Sequence, residues 1–273
     1  MAANDTTLIA IGGGDLGAAP QVIDEIINTV ERKKEAKLVL MTVATSMVDG
    51  AYEKYDRLFR KRNIKHIEMV DVSQREDSYN EASIRKLEDA DIIFFTGGDQ
   101  LNITSLFGGS PMHELMRRRR KEGVVIAGTS AGAAMMSGSM ILGGRSDSAP
   151  KVEGVQIGPG LDLLPDAIID THFSQRGRHG RLLTAIAHYP QIIGIGLDEQ
   201  SGIVVKGREF TVIGGGCVTV FEGNSVKHCD LPYREPGDCI GILGVNLHVL
   251  PCGYSYDLDK HLPIAPPLRR SAR

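Results

Sequence analysis

Val124-Val125-Ile126-Ala127-Gly128-Thr129-Ser130-Ala131-Gly132-Ala133-Ala134-Met135-Met136 is the stretch on which the fold turns. Its first four residues are apolar and mostly β-branched, which predicts a strand over Val124 to Ala127 buried on both faces. The Gly-Thr-Ser-Ala-Gly that follows flanks Ser130 with small residues, so the backbone can reverse sharply around it. Ala131, Ala133, Ala134, Met135 and Met136 then continue as a helix, whose first N–H groups have no acceptor within it. Strand, tight turn and helix together present a serine hydroxyl beside free backbone donors, as attack on a carbonyl requires. In a chain with 32 glycines the five-residue pattern is weak by itself, and a serine that merely caps a helix is the plain alternative. The strand before Ser130 and the helix after it decide for a nucleophile.

Upstream, short β-branched runs alternate with amphipathic stretches. Thr7 to Ile11, Lys37 to Val43, Lys65 to Val70 and Ile92 to Phe95 read as strands. Between them, Val22, Ile23, Ile26, Ile27 and Val30 recur at helical spacing from Pro20 to Lys34, and Tyr52 to Arg62 reads as a second helix. Met112 to Glu122 is helical and ends in Arg117-Arg118-Arg119-Arg120-Lys121, where cations complement the negative end of a helix. This order predicts an α/β fold with a doubly wound, mostly parallel sheet flanked by helices. Downstream of a glycine-rich passage from Gly138 to Gly160, Ala167 to Asp170 is a short strand and Leu182 to His188 a helix. Ile192 to Leu197, Gly202 to Lys206, Phe210 to Ile213 and Val218 to Phe221 then follow closely, which predicts a C-terminal extension of antiparallel hairpins, closed by Val245 to Leu250. Residues 1–261 are expected to form one α/β hydrolase domain. Residues 262–273, from the proline-rich Pro263 to Pro267 into Arg269, Arg270 and Arg273, are expected to be a flexible tail.

Composition narrows the function classes. The 273 residues are 42% hydrophobic, and 31 Lys+Arg against 34 Asp+Glu leave a formal charge of −3, so no overall field favours nucleic acid or an anionic membrane. The start lacks a basic stretch followed by an apolar run, and no stretch reaches the roughly 18 apolar residues of a membrane span, which places the protein in the cytoplasm. Cys217, Cys229, Cys239 and Cys252 show no CxxC pairing or zinc spacing, so reduced structural thiols and no metal are expected.

A serine hydroxyl needs a base. Among eight histidines, His172 follows the strand Ala167 to Asp170, at the carboxyl end where open parallel sheets keep their functional crevice. His179, amid arginines, is the alternative. Asp198-Glu199, after the strand ending at Leu197, supplies the orienting acid, and the residues alone do not choose between the two. A rival of another class comes from Gly12-Gly13-Gly14-Asp15-Leu16-Gly17, which matches the G-x-G-x-x-G of a non-catalytic dinucleotide-binding protein. The next strand, however, ends in Thr42-Val43-Ala44 without an acid for a ribose.

Taken together, Ile11-Gly12-Gly13-Gly14, Phe94 to Gln100, Gly128 to Ala133, Asp170-Thr171-His172-Phe173 with Arg176, Arg178 and Arg181, and Gly196 to Glu199 resemble the cyanophycinases of serine peptidase family S51. The resemblance spans most of the chain. It implies a fold like the class I glutamine amidotransferases and a Ser130, His172, Glu199 triad, settling the acid as Glu199. It also implies hydrolysis of the polyaspartate backbone of cyanophycin to β-aspartyl-arginine dipeptides through an acyl-enzyme, without cofactor, by a homodimer. Gly98 and Ala131 are then the backbone oxyanion donors. Gln100, Asp170, Arg176, Arg178 and Arg181 would bind substrate, Asp170 taking a guanidinium and the arginines carboxylates. The near alternative of the same fold is a peptidase acting on short aspartyl or isoaspartyl dipeptides.

Overall fold

Within β1 (Thr7–Ile11), Leu8 and Ala10 pack into one buried cluster, and Ile9 and Ile11 into another. Successive strand side chains point to opposite faces, so such a strand must lie in a sheet covered on both sides. A computed structural model, which describes residues 7–30, 33, 35–145 and 149–267, contains that sheet. β1 runs parallel to β5 (Val125–Thr129), and the parallel set continues through β4 (Ile92–Phe95), β2 (Lys37–Met41) and β3 (His66–Val70). On its other side β1 pairs antiparallel with β10 (Ser201–Lys206), followed by β11 (Glu209–Gly214), β16 (Ser255–Asp257) and β17 (Leu262–Ile264). The chain therefore forms the expected helix-flanked α/β sheet with antiparallel strands from its C-terminal part.

One face is covered by α1 (Pro20–Asn28) and α2 (Val48–Arg60), which bury Val22, Ile23, Ile26, Ile27, Tyr55 and Phe59 against Ile9, Ile11, Phe94 and Val125. α1 stops short of the expected Lys34: the chain leaves the helix at Asn28 and Thr29, two poor helix formers, and Thr29 N–H closes on Ile26 O. The opposite face receives α3 (Glu81–Glu88), a short turn α4 (Gln100–Asn102), α5 (Pro111–Lys121) and α6 (Ala131–Ala134). α5 begins at Pro111 after Ser110, whose Oγ accepts His113 N–H. Its basic last turn is used locally: Arg118 pairs with Glu88 and Glu122, Arg119 donates to Ala90 O, and Arg120 to Leu163 O.

The expected C-terminal antiparallel hairpins are present: β10 with β11 and β16 with β17 form hairpins of the main sheet. A second, four-stranded sheet is built from β8 (Ala167–Thr171), β9 (Ile193–Leu197), β12 (Val218–Glu222) and β15 (Asn246–Leu250), in the order β15-β12-β9-β8. β8 and β9 are parallel, joined by the crossover helix α7 (His179–His188). One face of this sheet joins the main core, while Phe173, Leu182, Ile186 and Phe221 fill the other. The glycine-rich passage holds an unforeseen hairpin of β6 (Ser139–Gly144) and β7 (Val155–Pro159), with a bulge between Ile141 and Gly143. A small ribbon of β13 (His228–Cys229) and β14 (Ile242–Leu243) completes the strands. Leu262–Ile264, expected to begin the tail, is β17, paired with β16; residues 268–273 lie outside the described residues.

Candidate active site

β5 delivers Ser130 with φ 54° and ψ −111°, a strained setting for a residue with a Cβ. The turn is pinned by Ser130 N–H donating to Ile11 O at 2.9 Å, and by Ala133 and Ala134 N–H donating to Ser130 O. Gly128 and Gly132 meet so closely that a Cβ on the first would lie 2.2 Å from the carbonyl oxygen of the second. α6 is a single turn, shorter than the expected run to Met136. Ser130 occupies the position before it, but its side chain makes no capping bond.

Its Oγ instead lies 2.9 Å from His172 Nε2, and His172 Nδ1 lies 2.6 Å from Glu199 Oε1. Glu199 can only accept when ionised, so Nδ1 carries the proton and Nε2 is left to accept from the serine hydroxyl. The topology explains the meeting: β8 and β9 are parallel neighbours with Thr171 opposite Leu197, so the residues that follow both strands emerge at one end. Burial holds the His172 pKa below the usual imidazole value, while the hydrogen bond to Glu199 acts in the opposite direction. His179, the alternative base, lies elsewhere, its ring 4.6 Å from that of Phe173.

The glycine run after β1 forms the floor beneath this relay. Gly12 N–H donates to Ser201 O, Gly12 O accepts His172 N–H at 2.8 Å, and Gly13 O accepts Gln200 N–H. Gly13, at φ 101°, faces the imidazole so closely that a Cβ would sit 2.5 Å from His172 Cε1, and one on Gly14 would sit 2.9 Å from Glu199 Cβ. Where a dinucleotide pyrophosphate would have to approach these glycines, His172 and Glu199 already stand.

A cavity of about 380 Å³ opens beside Ser130 and His172, walled by Gly98, Leu142, Arg176 and Arg178 among others. Gly98 has φ 150°, and a Cβ there would fall 1.9 Å from Ala44 O, so only glycine permits this turn against the elbow. Gln100 lines the cavity too, but its amide N–H groups donate to Ile141 O and Leu142 O at 2.8 and 3.1 Å, clamping the β6–β7 hairpin as one wall. That leaves its carbonyl oxygen for any ligand. A larger hollow, of about 550 Å³, lies at the opposite end of the sheet around Thr29, Asp91 and Arg119, remote from the relay. Among the described residues, no group of three or more His, Cys, Asp or Glu is placed to hold a metal.

Asp170 does not present a free carboxylate. It is 1% exposed, with Oδ2 accepting Arg181 Nε–H at 2.6 Å and Oδ1 shared by Arg181 Nη2, Arg178 Nη1 and Thr171 N–H. Asp170 lines the cavity, yet protein donors brace it, three on Oδ1 and one on Oδ2, so a substrate guanidinium would find only the second lone pair of Oδ2. Arg178 also donates to Thr171 O at 2.6 Å, yet its Nε–H is buried without a partner among the described residues. Burial pulls this guanidinium down to about 10, against the pull of Asp170. Arg176 is exposed at the cavity, and the motif signal that marked these arginines could not distinguish the braced pair from the open one.

The peptidase family S51 profile matches residues 8–213, which covers the elbow, the relay and the cavity arginines. The chain belongs to peptidase family S51. It is 31% identical over 264 residues to a protein of Trichormus variabilis named cyanophycinase, covering 94% of this chain and 87% of that one. To the cyanophycinase of Geminocystis herdmanii it is 35% identical over 215 residues, covering 78% and 79%. Among solved structures, a peptidase from an acI-B1 Actinobacterium superposes with a TM-score of 0.68 at 20% identity, over 93% of this chain and 97% of that one. A putative peptidase E protein from Listeria monocytogenes follows at 0.54 and 15%, over 77% and 98%. At those identities the structures speak for the S51 fold alone. The glycine floor, which also matches a dinucleotide motif, is the Ile11-Gly12-Gly13-Gly14 landmark of the resemblance, and its contacts with His172 and Glu199 were not readable from the sequence.

Proposed function

We propose that this S51 peptidase is a cyanophycinase, which cleaves the polyaspartate backbone of cyanophycin and releases β-aspartyl-arginine dipeptides. The observation that carries the reading is the unbroken relay Ser130 Oγ, His172, Glu199, opening onto a cavity walled by cations. His172 Nε2 takes the hydroxyl proton as Ser130 attacks the aspartyl carbonyl, and returns it to the leaving amine; Glu199 stabilises the imidazolium between the two steps. Water then repeats the cycle on the acyl-enzyme. Gly98 and Ala131 N–H serve the oxyanion, at the turn that packs on the elbow and at the first residue of α6.

In this assignment Arg176 and Arg178 receive the α-carboxylate of the arginyl branch, Arg178 being held in place by Asp170, which Arg181 also grips. Asp99, in the same cavity with one carboxylate oxygen committed to Leu101 N–H, is the acid available to the guanidinium. The protein acts as a cytoplasmic homodimer. Four unpaired cysteines suit a reducing compartment, no helix among the described residues is long and apolar enough to cross a membrane, and the edge strand β15 exposes Leu247 and Val249.

Incubation of the purified protein with cyanophycin, followed by mass spectrometry, is expected to yield β-aspartyl-arginine. Ser130→Ala should lower turnover on the order of a million-fold. A variant that releases dipeptides at the parental rate would end the triad assignment, and activity confined to free isoaspartyl dipeptides would move the substrate to the short peptides.

A further inference from the structure

The segments that carry the base and the acid are tied together by two side chains that take no part in the proton relay. Asp198 is 8% exposed, and its Oδ1 accepts Ser174 N–H, two residues beyond His172, at 3.0 Å. Its Oδ2 accepts Cys217 N–H at 3.3 Å, which anchors the acid turn to the approach of β12. Gln175 acts in the reverse direction: its Oε1 accepts Glu199 N–H at 2.9 Å. Residues 174–175 and 198–199 thus grip each other, each pair giving one side-chain acceptor and one backbone donor. Neither Asp198 nor Gln175 lines the cavity.

This grip acts where the backbone most needs holding. His172 has φ 48° and Gln200 has φ 60°, settings that a free loop of residues with a Cβ would leave. The Glu199 side chain is 34% exposed, so packing alone does not fix the carboxylate against the imidazole. A bond from a backbone N–H to a carboxylate such as Asp198 is charge-assisted and stronger than its neutral counterpart. We propose that Asp198 and Gln175 form a reciprocal latch that sets the approach of Glu199 to His172, making both positioning residues for the relay.

The latch rests on the triad assigned above, and the test separates the two. Full-length Gln175→Met, Gln175→Glu, Asp198→Asn and Ser130→Ala are assayed with cyanophycin across pH. Methionine keeps the length of Gln175 without its acceptor, so kcat should fall about ten-fold with KM within two-fold, because only the relay loses alignment. The Glu199 hydrogen bond raises the His172 pKa, so loosening it should also move the acid limb of kcat/KM to lower pH. Gln175→Glu restores an acceptor and should recover most of the lost kcat. Asp198→Asn can serve Ser174 or Cys217 but not both, and should lower kcat in the same way. Should Asp198→Asn fail to fold, the exposed Gln175 decides alone. A Gln175→Met enzyme with parental kcat and acid limb, or with only KM raised, overturns the latch while an inactive Ser130→Ala keeps the triad. An active Ser130→Ala removes both.

Discussion

As the proposed base, His172 works only while neutral, so its protonation in the free enzyme would set the acid limb of kcat/KM. Because burial holds its pKa below the ordinary value, activity should persist to a limb midpoint under about 6.5. A pH–rate profile checks this, and a midpoint above that value would contradict it. Gly13 governs the same ring sterically. In Gly13→Ala the new methyl would meet His172 Cε1 at 2.5 Å, so the imidazole must move. Turnover should fall on the order of a hundred-fold, since displacement of about 1 Å in a reacting group costs that much. Parental kcat in a folded Gly13→Ala enzyme would show that the floor does not set the base. Ser130 and His172 stood out because each follows a buried strand, and periodicity reveals strands; the end of β9 offered Asp198 and Glu199 alike, and only the resemblance chose Glu199. The bracing of Asp170 was hidden because a sequence displays a charge but not the group that neutralises it. The role of Gly13 was hidden for a related reason: its meaning lies in what a Cβ would strike, 159 residues along the chain at His172 (172 − 13).

At the scale of elements, Asp170 at the end of β8 and Arg181 in α7 form a buried ion pair that docks the crossover helix onto the second sheet. Removing one partner of such a pair strands the other without compensation. Asp170→Ala should therefore destabilise the protein by about 3–5 kcal/mol, measured by urea unfolding; a loss under about 1 kcal/mol would mean that Arg181 finds another acceptor. The inner parallel strands were readable because they are largely apolar runs between helical stretches, while the edge strand β3 alternates, with His66 and Glu68 exposed. The partners of the later strands were not. β10 follows β9 after three residues, yet it pairs with β1 and β11, while β9 pairs with β8 and β12. Close spacing suggested hairpins throughout, but pairing across so long a separation leaves no local trace. The β6–β7 hairpin escaped notice because glycine and a bulge break the period of two.

Across the whole molecule, the proposed nucleophile follows a strand of one sheet, and the proposed base and acid follow strands of the other. In the proposed homodimer, Leu247 and Val249, 51% and 55% exposed on β15, would form the association surface. Replacing both with lysine should convert a dimer of parental mass by light scattering into a monomer, and a parent already at single-chain mass would refute the dimer. The stitches around Gly12 carry a consequence for how the protein is made. During synthesis the serine emerges first, the imidazole later, and the glutamate and the Ser201 carbonyl that Gly12 N–H requires last of all. On the proposed triad, a ribosome-bound chain that has not yet released residue 201 owns a nucleophile but no complete relay, so a half-made peptidase is not expected to cut. Its hydrolytic power would then arrive only when the last of the stitching strands clears the exit tunnel.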